Sequence, residues 1–504
     1  MSTGVYLANA PLLIVVLGGL LLMIAEAFSH RREEGDTRHS GPSSDLAVGS
    51  AITLFAGAIA AAAVWIVGPD HIEGAQAAAP YLVADRFTLF FSFVLCLGGG
   101  LSALLAGGYL PEHKLDRGEF YPLLLFSTVG AMTLAAAGDL LSLFLGLETM
   151  SLGVYALTGF RRASPRSAEA AVKYFLLGSF AAALLLYGGA LLYGATGHTD
   201  LVGIRDAIAG GKVNAGLVLI AAALVLTGLT FKVSAVPFHM WTPDAYEGAP
   251  TPATGYMAVA VKSAAFATLL RVVLVAFGTP ALASWGTGWP PALALIAVLT
   301  MTVANLVAGR QESVKRMLAY SSIAHAGYLL VGVVATMRQG EDAQGSVMFY
   351  LLAYTASTIG AFGALVLCGN RGAEAVSYED LAGIGKRHPA AALAFSLFLL
   401  SLAGVPPTAG FFGKLYIVKA AIGGGLDTLA VILLLNSVLG AYYYLRVLVF
   451  MYMREPAPGA PVATPMRSGY VAAALVVAAV LVLTLGIWPT TSLHIAVQAA
   501  LAAK

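Results

Sequence analysis

The run AGLVLIAAALVLTGLTFKVSAVPFHMWTPDAY, residues 215–246, decides how the rest of the chain is read. It is apolar up to Phe231, then carries Lys232 and, five residues later, Pro237. The run is too long and too uniformly apolar for a strand of a membrane barrel. As a helix it exceeds the roughly 20 residues that cross a bilayer's hydrocarbon core. Proline lacks an N–H and clashes with the preceding turn, so the helix is predicted to break at Pro237. Backbone groups freed inside a membrane are tolerated only against protein or water. An ammonium near the bilayer centre costs about 2.5–3.5 kcal/mol on insertion scales. This one stretch therefore predicts a broken membrane helix with a lysine facing a protein-lined or hydrated interior.

The remainder of the 504 residues has the same character, with 59% hydrophobic and only 11% charged residues. Soluble domains carry about 25% charged residues. The balance of 28 Lys+Arg against 26 Asp+Glu gives a net charge of +2, which leaves no footprint for nucleic-acid binding. Cys96 and Cys368 stand alone in apolar stretches, so zinc, iron–sulfur and disulfide frameworks are excluded. There is no GxGxxG after a strand and no GxxxxGK[ST], which removes nucleotide binding. The opening apolar run precedes the first basic residue, Arg31, and is expected to be a retained membrane helix rather than a signal peptide.

Fourteen apolar spans are predicted, at about 8–28, 45–67, 85–109, 119–137, 139–159, 167–195, 215–246, 250–278, 287–309, 312–336, 344–369, 390–421, 426–451 and 468–489. The fold class is an all-α polytopic membrane protein. Sixteen Lys and Arg fall in loops after odd-numbered spans, from Arg31 and Arg38 through Lys315 and Arg371 to Arg467. The opposite side holds four: Arg205, Lys212, Arg338 and Lys504. Basic loops remain cytoplasmic, so both termini are expected on the far, periplasmic side. Gly98-Gly99-Gly100, inside the third span, reads as a site of close helix packing.

Five charges lie within spans: Glu148, Lys173, Lys232, Lys262 and Lys414. Left unpaired, they would together cost about 12–18 kcal/mol, comparable with a whole domain's net stability. Each must face protein or water. The alternative is a lysine that snorkels to an interface or makes one structural ion pair. Lys173, a few residues into its span, is the most exposed to that reading, and Lys419 and Arg271 read as edge residues. Lys232 and Lys414 stand apart because each sits beside a proline break, at Pro237 and at Pro406-Pro407.

The breaks fall in matching places, each in the fourth of five helices. Five helices per unit would turn the second unit upside down, the inverted-repeat arrangement of many transporters. The expected organisation is three N-terminal helices (1–109), a first repeat (119–278), a second repeat (287–451) and a C-terminal helix (468–504). His325, in AYSSIAHAGYLL, reads either as a hydrogen-bonded core histidine or as a proton relay. His239, just after Pro237, belongs to either class.

The segment FKVSAVPFHMWTPDAYEGAPTPATGYMAVAVK, 231–262, strongly resembles the signature of the antiporter-like membrane subunits of proton-pumping NADH:quinone oxidoreductase, respiratory complex I. GLETMSLGVYALTGF (146–160) and SAEAAVKYFLLGSF (167–180) are similar to the N-type branch of that family. The resemblance covers nearly the whole chain. It implies proton-transfer roles for Glu148 on the fifth helix, Lys173 on the sixth, Lys232 on the broken seventh, Lys262 on the eighth and Lys414 on the broken twelfth. It also implies partners: neighbouring membrane subunits, a peripheral redox arm and membrane lipid. NADH, FMN, iron–sulfur clusters and quinone are expected in those partners, and no cofactor or metal in this chain. The implied location is the bacterial inner membrane. The competing readings are a subunit of an Mrp-type Na⁺/H⁺ antiporter and a structural spacer in a membrane arm.

Overall fold

A computed structural model of the protein describes residues 3–33, 43–369, 374–456 and 463–501. Of the loop charges counted above, Arg38, Arg371 and Lys504 lie outside the described residues. The described chain is helical throughout, without a named strand. The helices used below are α1 (Ala10–Glu33), α2 (Ser43–Val67), α3 (Arg86–Glu112), α4 (Phe120–Ala136), α5 (Leu140–Thr158), α6 (Pro165–Thr196), α7 (Ala215–Lys232), α8 (Trp241–Gly248), α9 (Thr251–Ala276), α10 (Trp289–Ala308), α11 (314–339), α12 (341–367), α13 (Pro389–Ala403), α14 (Ala409–Gly423), α15 (Asp427–Met453), α16 (Gly469–Ile487) and α17 (Pro489–Leu501).

Eleven described helices are long and apolar enough to cross a membrane, one of them the continuous Val314–Leu367. That helix turns at Gly340, whose φ of 50° only glycine adopts readily, and so supplies two passes. The short apolar α4 and the broken pair α13/α14 bring the total among the described residues to fourteen. Caps set the boundaries. Asp139 accepts from the Leu141 N–H and starts α5, so the spans predicted at 119–137 and 139–159, with almost nothing between them, are separated by a real turn. Ser164, Asn214, Ser313 and Ser468 cap α6, α7, α11 and α16 in the same way.

The helices are not equivalent. About 94% of the apolar window of α9 is buried against 22% of that of α1, so α9 lies at the centre and α1 at the rim. The three glycines of α3 admit three neighbours: a Cβ would meet Val259 of α9 at Gly98, Thr128 of α4 at Gly99 and Phe55 of α2 at Gly100, each at 3.0–3.2 Å. Gly130 of α4 and Gly146 of α5 bring two backbones together, since a Cβ on Gly130 would lie 2.2 Å from the Met150 nitrogen.

Both broken helices end in the same hydrogen-bonded motif. In α7 the Ala235 N–H reaches the Thr230 carbonyl and the Ser234 N–H reaches Phe231, with Ser234 left-handed at φ 66°. In α13 the Val405 N–H reaches Leu400 and the Gly404 N–H reaches Ser401, with Gly404 at φ 89°. This is the Schellman termination. The left-handed residue thus stands three residues before Pro237 and two before Pro406, and the helices end at Lys232 and Ala403, not at the prolines themselves. The prolines keep the chain from resuming the helix.

Two charge clusters tie the helices together at the edges. Arg271, read from sequence as an edge residue, is only 5% exposed and makes a two-pronged pair with Asp85 at 2.9 and 3.1 Å. The acidic cap of α3 supplies the partner, and the Phe87 ring and the Thr88 hydroxyl complete its surroundings. At the other edge Glu374, in the loop after α12, is a hub. It pairs with Arg161 at 3.1 Å and with Lys315 at 3.3 Å, and accepts from Tyr109 and Thr251. Lys315, counted in the sequence as a loop charge, is fully buried at the start of α11 and also donates to the Ala249 carbonyl at 2.6 Å. Four elements therefore converge on one carboxylate.

Burial pushes the Glu374 carboxyl up, but Lys315 and Arg161 outweigh it and hold it at about 2, below its ordinary 4.5. A depressed carboxylate contributes stability above its unfolded value and loses it as pH falls toward the folded value. The hub should therefore be insensitive to pH between 5 and 8 and weaken from about pH 4.5 downward. Glu374→Gln should destabilise the detergent-solubilised protein by about 3–5 kcal/mol, because Lys315 is left buried without its partner. A Glu374→Gln/Lys315→Met double variant should recover much of that loss. Thermal unfolding across pH 3–8 measures both, and an unaltered melting temperature in Glu374→Gln would remove the hub.

Candidate functional site

The candidate residues lie on helices that the sequence separates widely. Lys232 is the last residue of α7, 2% exposed. Its Nζ donates to Ser151 Oγ at 2.8 Å and to the Tyr155 hydroxyl at 3.2 Å, both on α5. Glu148, Ser151 and Tyr155 follow a three- and four-residue spacing, which places them on one face of α5. Among the described residues no ion pair joins Glu148 to Lys232, and Glu148 Oε1 is buried without a hydrogen-bond partner. The lysine is thus seated one turn further along α5 than the acid it was expected to pair with.

Lys262 follows a π-helical turn, Met257–Val261, and is 1% exposed. Wide turns of this kind interrupt the regular ladder and recur at functional sites. Its Nζ donates to the carbonyl and the hydroxyl of Ser322 on α11. One turn further on, His325 is held at both ring nitrogens: Nδ1 by the Tyr350 hydroxyl at 2.7 Å, Nε2 by the Tyr444 hydroxyl at 3.0 Å. Tyr444 in turn is hydrogen-bonded to Ser321. Both nitrogens face groups that can donate or accept, so the ring can take a proton on one side and release it on the other.

Lys414 lies on α14, after the second break. Its Nζ donates to the Ala403 carbonyl at 2.9 Å and to Ser437 Oγ of α15 at 2.9 Å. Ala403 is the last residue of α13, so the lysine satisfies a carbonyl that the break leaves open. The opposing start of α14 is served by Ser401, whose hydroxyl accepts from the Gly410 N–H at 3.2 Å. In the first break the corresponding services come from Thr300, which accepts from the Val236 N–H at 2.9 Å, and from Trp241, which donates to the Phe231 carbonyl at 3.2 Å.

Lys173 is placed differently from the other four. Its side chain is 45% exposed and paired with Glu169 at 2.6 Å and Asp244 at 2.9 Å. It belongs to a surface cluster with Arg316, which holds the other Asp244 oxygen at 2.8 Å. A lysine so near the start of α6 reaches the acidic end of α8, which the sequence could not bring beside it. His239 lies in the first break, half-buried, with Nδ1 unpartnered.

The residues that complete the site were only partly visible in the sequence. Ser321, Ser322 and Tyr328 share the run of His325; Ser151 and Tyr155 were missed, although helical spacing from Glu148 is the signal that finds them. Tyr350, Tyr444 and Ser437, with Asn305, which holds Tyr328 and Tyr443 at 2.9 Å each, come from other segments and had no signal beyond being polar in apolar runs. Among the described residues no group of His, Cys, Asp and Glu side chains could hold a metal ion. Both cysteines are buried and free.

Residues 137–440 match the family model described as NADH:quinone oxidoreductase/Mrp antiporter, TM. A relative from Sorangium cellulosum, NADH-quinone oxidoreductase subunit N 1, is 79% identical over the full length of both chains. Among solved structures, respiratory complex I of Thermus thermophilus contains a chain 35% identical at a TM-score of 0.77, covering 96% of this chain and 98% of that one. A chain of the Mrp complex from Dietzia sp. shares the fold at a TM-score of 0.82 and 23% identity, over 99% and 97% of the two chains. With a model match across most of the breaks and buried lysines, the chain belongs to the NADH:quinone oxidoreductase/Mrp antiporter family of membrane subunits.

Proposed function

We propose that the chain is the N-type antiporter-like subunit of a proton-pumping NADH:quinone oxidoreductase and carries protons through its buried lysines. The observation that supports this most directly is the form of the contacts. Lys232, Lys262 and Lys414 each rest on hydroxyls or carbonyls, and His325 with its tyrosines stands between the last two. Near 79% identity to a subunit of that complex favours this reading over an Mrp-type antiporter, for which the 23% identity speaks only to fold. Electron transfer, with its NADH, FMN, iron–sulfur and quinone sites, belongs to partner subunits. In this reading both termini lie on the periplasmic side of a bacterial inner membrane, which the charge asymmetry of the loops supports. The two five-helix sets, 119–278 and 287–451, act as inverted half-channels, each with its break in the fourth helix.

In this mechanism Lys232 moves between two seats on α5. One is Ser151 and Tyr155; the other is Glu148, one turn or about 5.4 Å away. Paired with Glu148 the ammonium retains its proton. Seated on neutral hydroxyls it releases the proton more readily, since no carboxylate is left unpaired by the loss. Lys262 then relays through Ser322 and the His325–tyrosine group toward Lys414.

Three outcomes test the path. Glu148→Ala and Lys232→Ala should each lower proton pumping about tenfold, a barrier increase of about 1.4 kcal/mol, in a fully assembled complex. Pumping at the wild-type level in either variant would remove the pair from the mechanism. Lys262→Ala should impair turnover, with partial retention in Lys262→Arg, where charge survives but titration does not. If the alanine variant pumps normally, the central relay does not pass through Lys262. Lys414→Ala should lower electron transfer and pumping together, and Lys414→Glu should be better tolerated because a titratable group is restored. Electron transfer and proton uptake on the same reconstituted variants check this, and a glutamate no better than alanine would refute it.

A further inference from the structure

The three lysines differ in what surrounds the ammonium. Among the described residues Lys262 has one ring within reach, Tyr354 at 5.7 Å, and Lys414 has one, Tyr328 at 5.3 Å. Lys232 has three: Tyr155 at 5.3 Å, Tyr174 at 5.6 Å and Phe231 at 5.8 Å from Nζ. Trp241 closes this group from behind. It stacks on Tyr174 with centroids 4.1 Å apart and planes 2° from parallel, and lies 5.5 Å from the Phe231 ring. Tyr155 meets Tyr174 edge to face at 4.7 Å. The rings come from α5, α6, α7 and α8, and Trp241 is the first residue beyond the helix break.

The Tyr174 hydroxyl is buried without a hydrogen-bond partner, although burying one unpaired disfavours folding. Its hydroxyl therefore does not explain its place; its ring does. A ring face attracts a cation and has no such attraction for a neutral amine. We propose that Tyr174 and Trp241 are positioning residues that, with Phe231, form an aromatic cage holding the protonated Lys232 at its Ser151 seat, in competition with Glu148, while Tyr155 meets the ammonium with its hydroxyl rather than its ring face. The cage receives the charged lysine when it leaves Glu148 and holds it at the hydroxyl seat until its proton passes on toward Lys262, after which the neutral amine has no attraction to the rings. Trp241 also links that place to the break, because the same indole donates to the Phe231 carbonyl at the end of α7. Lys173, one residue before Tyr174, and Asp244, three residues after Trp241, repeat the α6–α8 connection at the surface.

This inference rests on the proton path proposed above, and the experiment separates the two. Phenylalanine and its mono-, di- and trifluorinated forms would be incorporated at position 174 of the intact complex by codon suppression. Fluorine withdraws electron density from the ring face with little change in size. Tyr174→Phe should pump near the wild-type level, and pumping should fall progressively with fluorination, by about two- to thirtyfold across the series. Tyr174→Leu, which keeps bulk without a ring face, should resemble the trifluoro form, and Trp241→Phe should lie between. A purely structural role would give no fluorine trend, and a flat series overturns the cage. Loss of pumping in Tyr174→Phe to the level of Tyr174→Leu overturns it too, since the hydroxyl would then be the working group. Lys232→Ala is run in parallel. If it pumps normally, the proton path through Lys232 fails; if it does not pump and the fluorinated series is flat, only the cage fails.

Discussion

An ammonium group in a membrane protein's interior must be given acceptors, and the kind of acceptor separates the cations of this protein into two classes. Arg161, Lys173, Arg271, Lys315 and Arg316 are met by carboxylates. Lys232, Lys262 and Lys414 are met by hydroxyls, carbonyls and ring faces. Paired charges inside a protein resist change, because removing one leaves the other exposed to a low dielectric. A lysine on neutral partners has no such anchor. Loss of its proton strands no opposite charge, so its protonation can change while the surrounding structure stays in place.

That division has a spatial counterpart. The carboxylate pairs occupy the edges of the helix bundle, at the Asp85 cap of α3, the Glu374 hub and the Asp244 cluster. The neutral-partner lysines lie on the interior helix ends and on α9, at the bundle's centre. The edges are held by fixed electrostatics, which leaves the interior free to shift charge. The two helix breaks serve the same end. Each ends in a left-handed residue, Ser234 or Gly404, and each exposes backbone groups that side chains from other helices satisfy. A lysine stands directly at one break and reaches across the other, so the irregular backbone and the mobile charge occupy the same place.

Much of this was legible in the chain as written. Hydrocarbon forces backbone groups to bond within their own segment, so apolar length alone marked the helical spans, while the division of spans into separate helices came from local breaks such as Ser234 and Gly404. Proline's missing donor marked both breaks to within three residues. The cost of an isolated charge marked Glu148, Lys232, Lys262 and Lys414 as residues needing an interior. Less legible were Arg271 and Lys315, which read as edge and loop charges and are buried in pairs, because Asp85 and Glu374 lie 186 and 59 residues away in sequence.

The sequence by itself determined the elements, since helix formation in a membrane is a local requirement. The tertiary structure alone decided the partners. Whether a lysine is a fixed charge or a movable one depends on whether a carboxylate or a hydroxyl comes to face it from another helix. Position near a helix start and beside a proline break already set Lys173 apart from Lys232, but only packing gives Lys173 its Asp244 at the surface and Lys232 its Ser151 and rings. That choice is made by helix packing, through small residues such as Gly98, Gly130 and Gly146 that set which faces meet, and no local pattern records it.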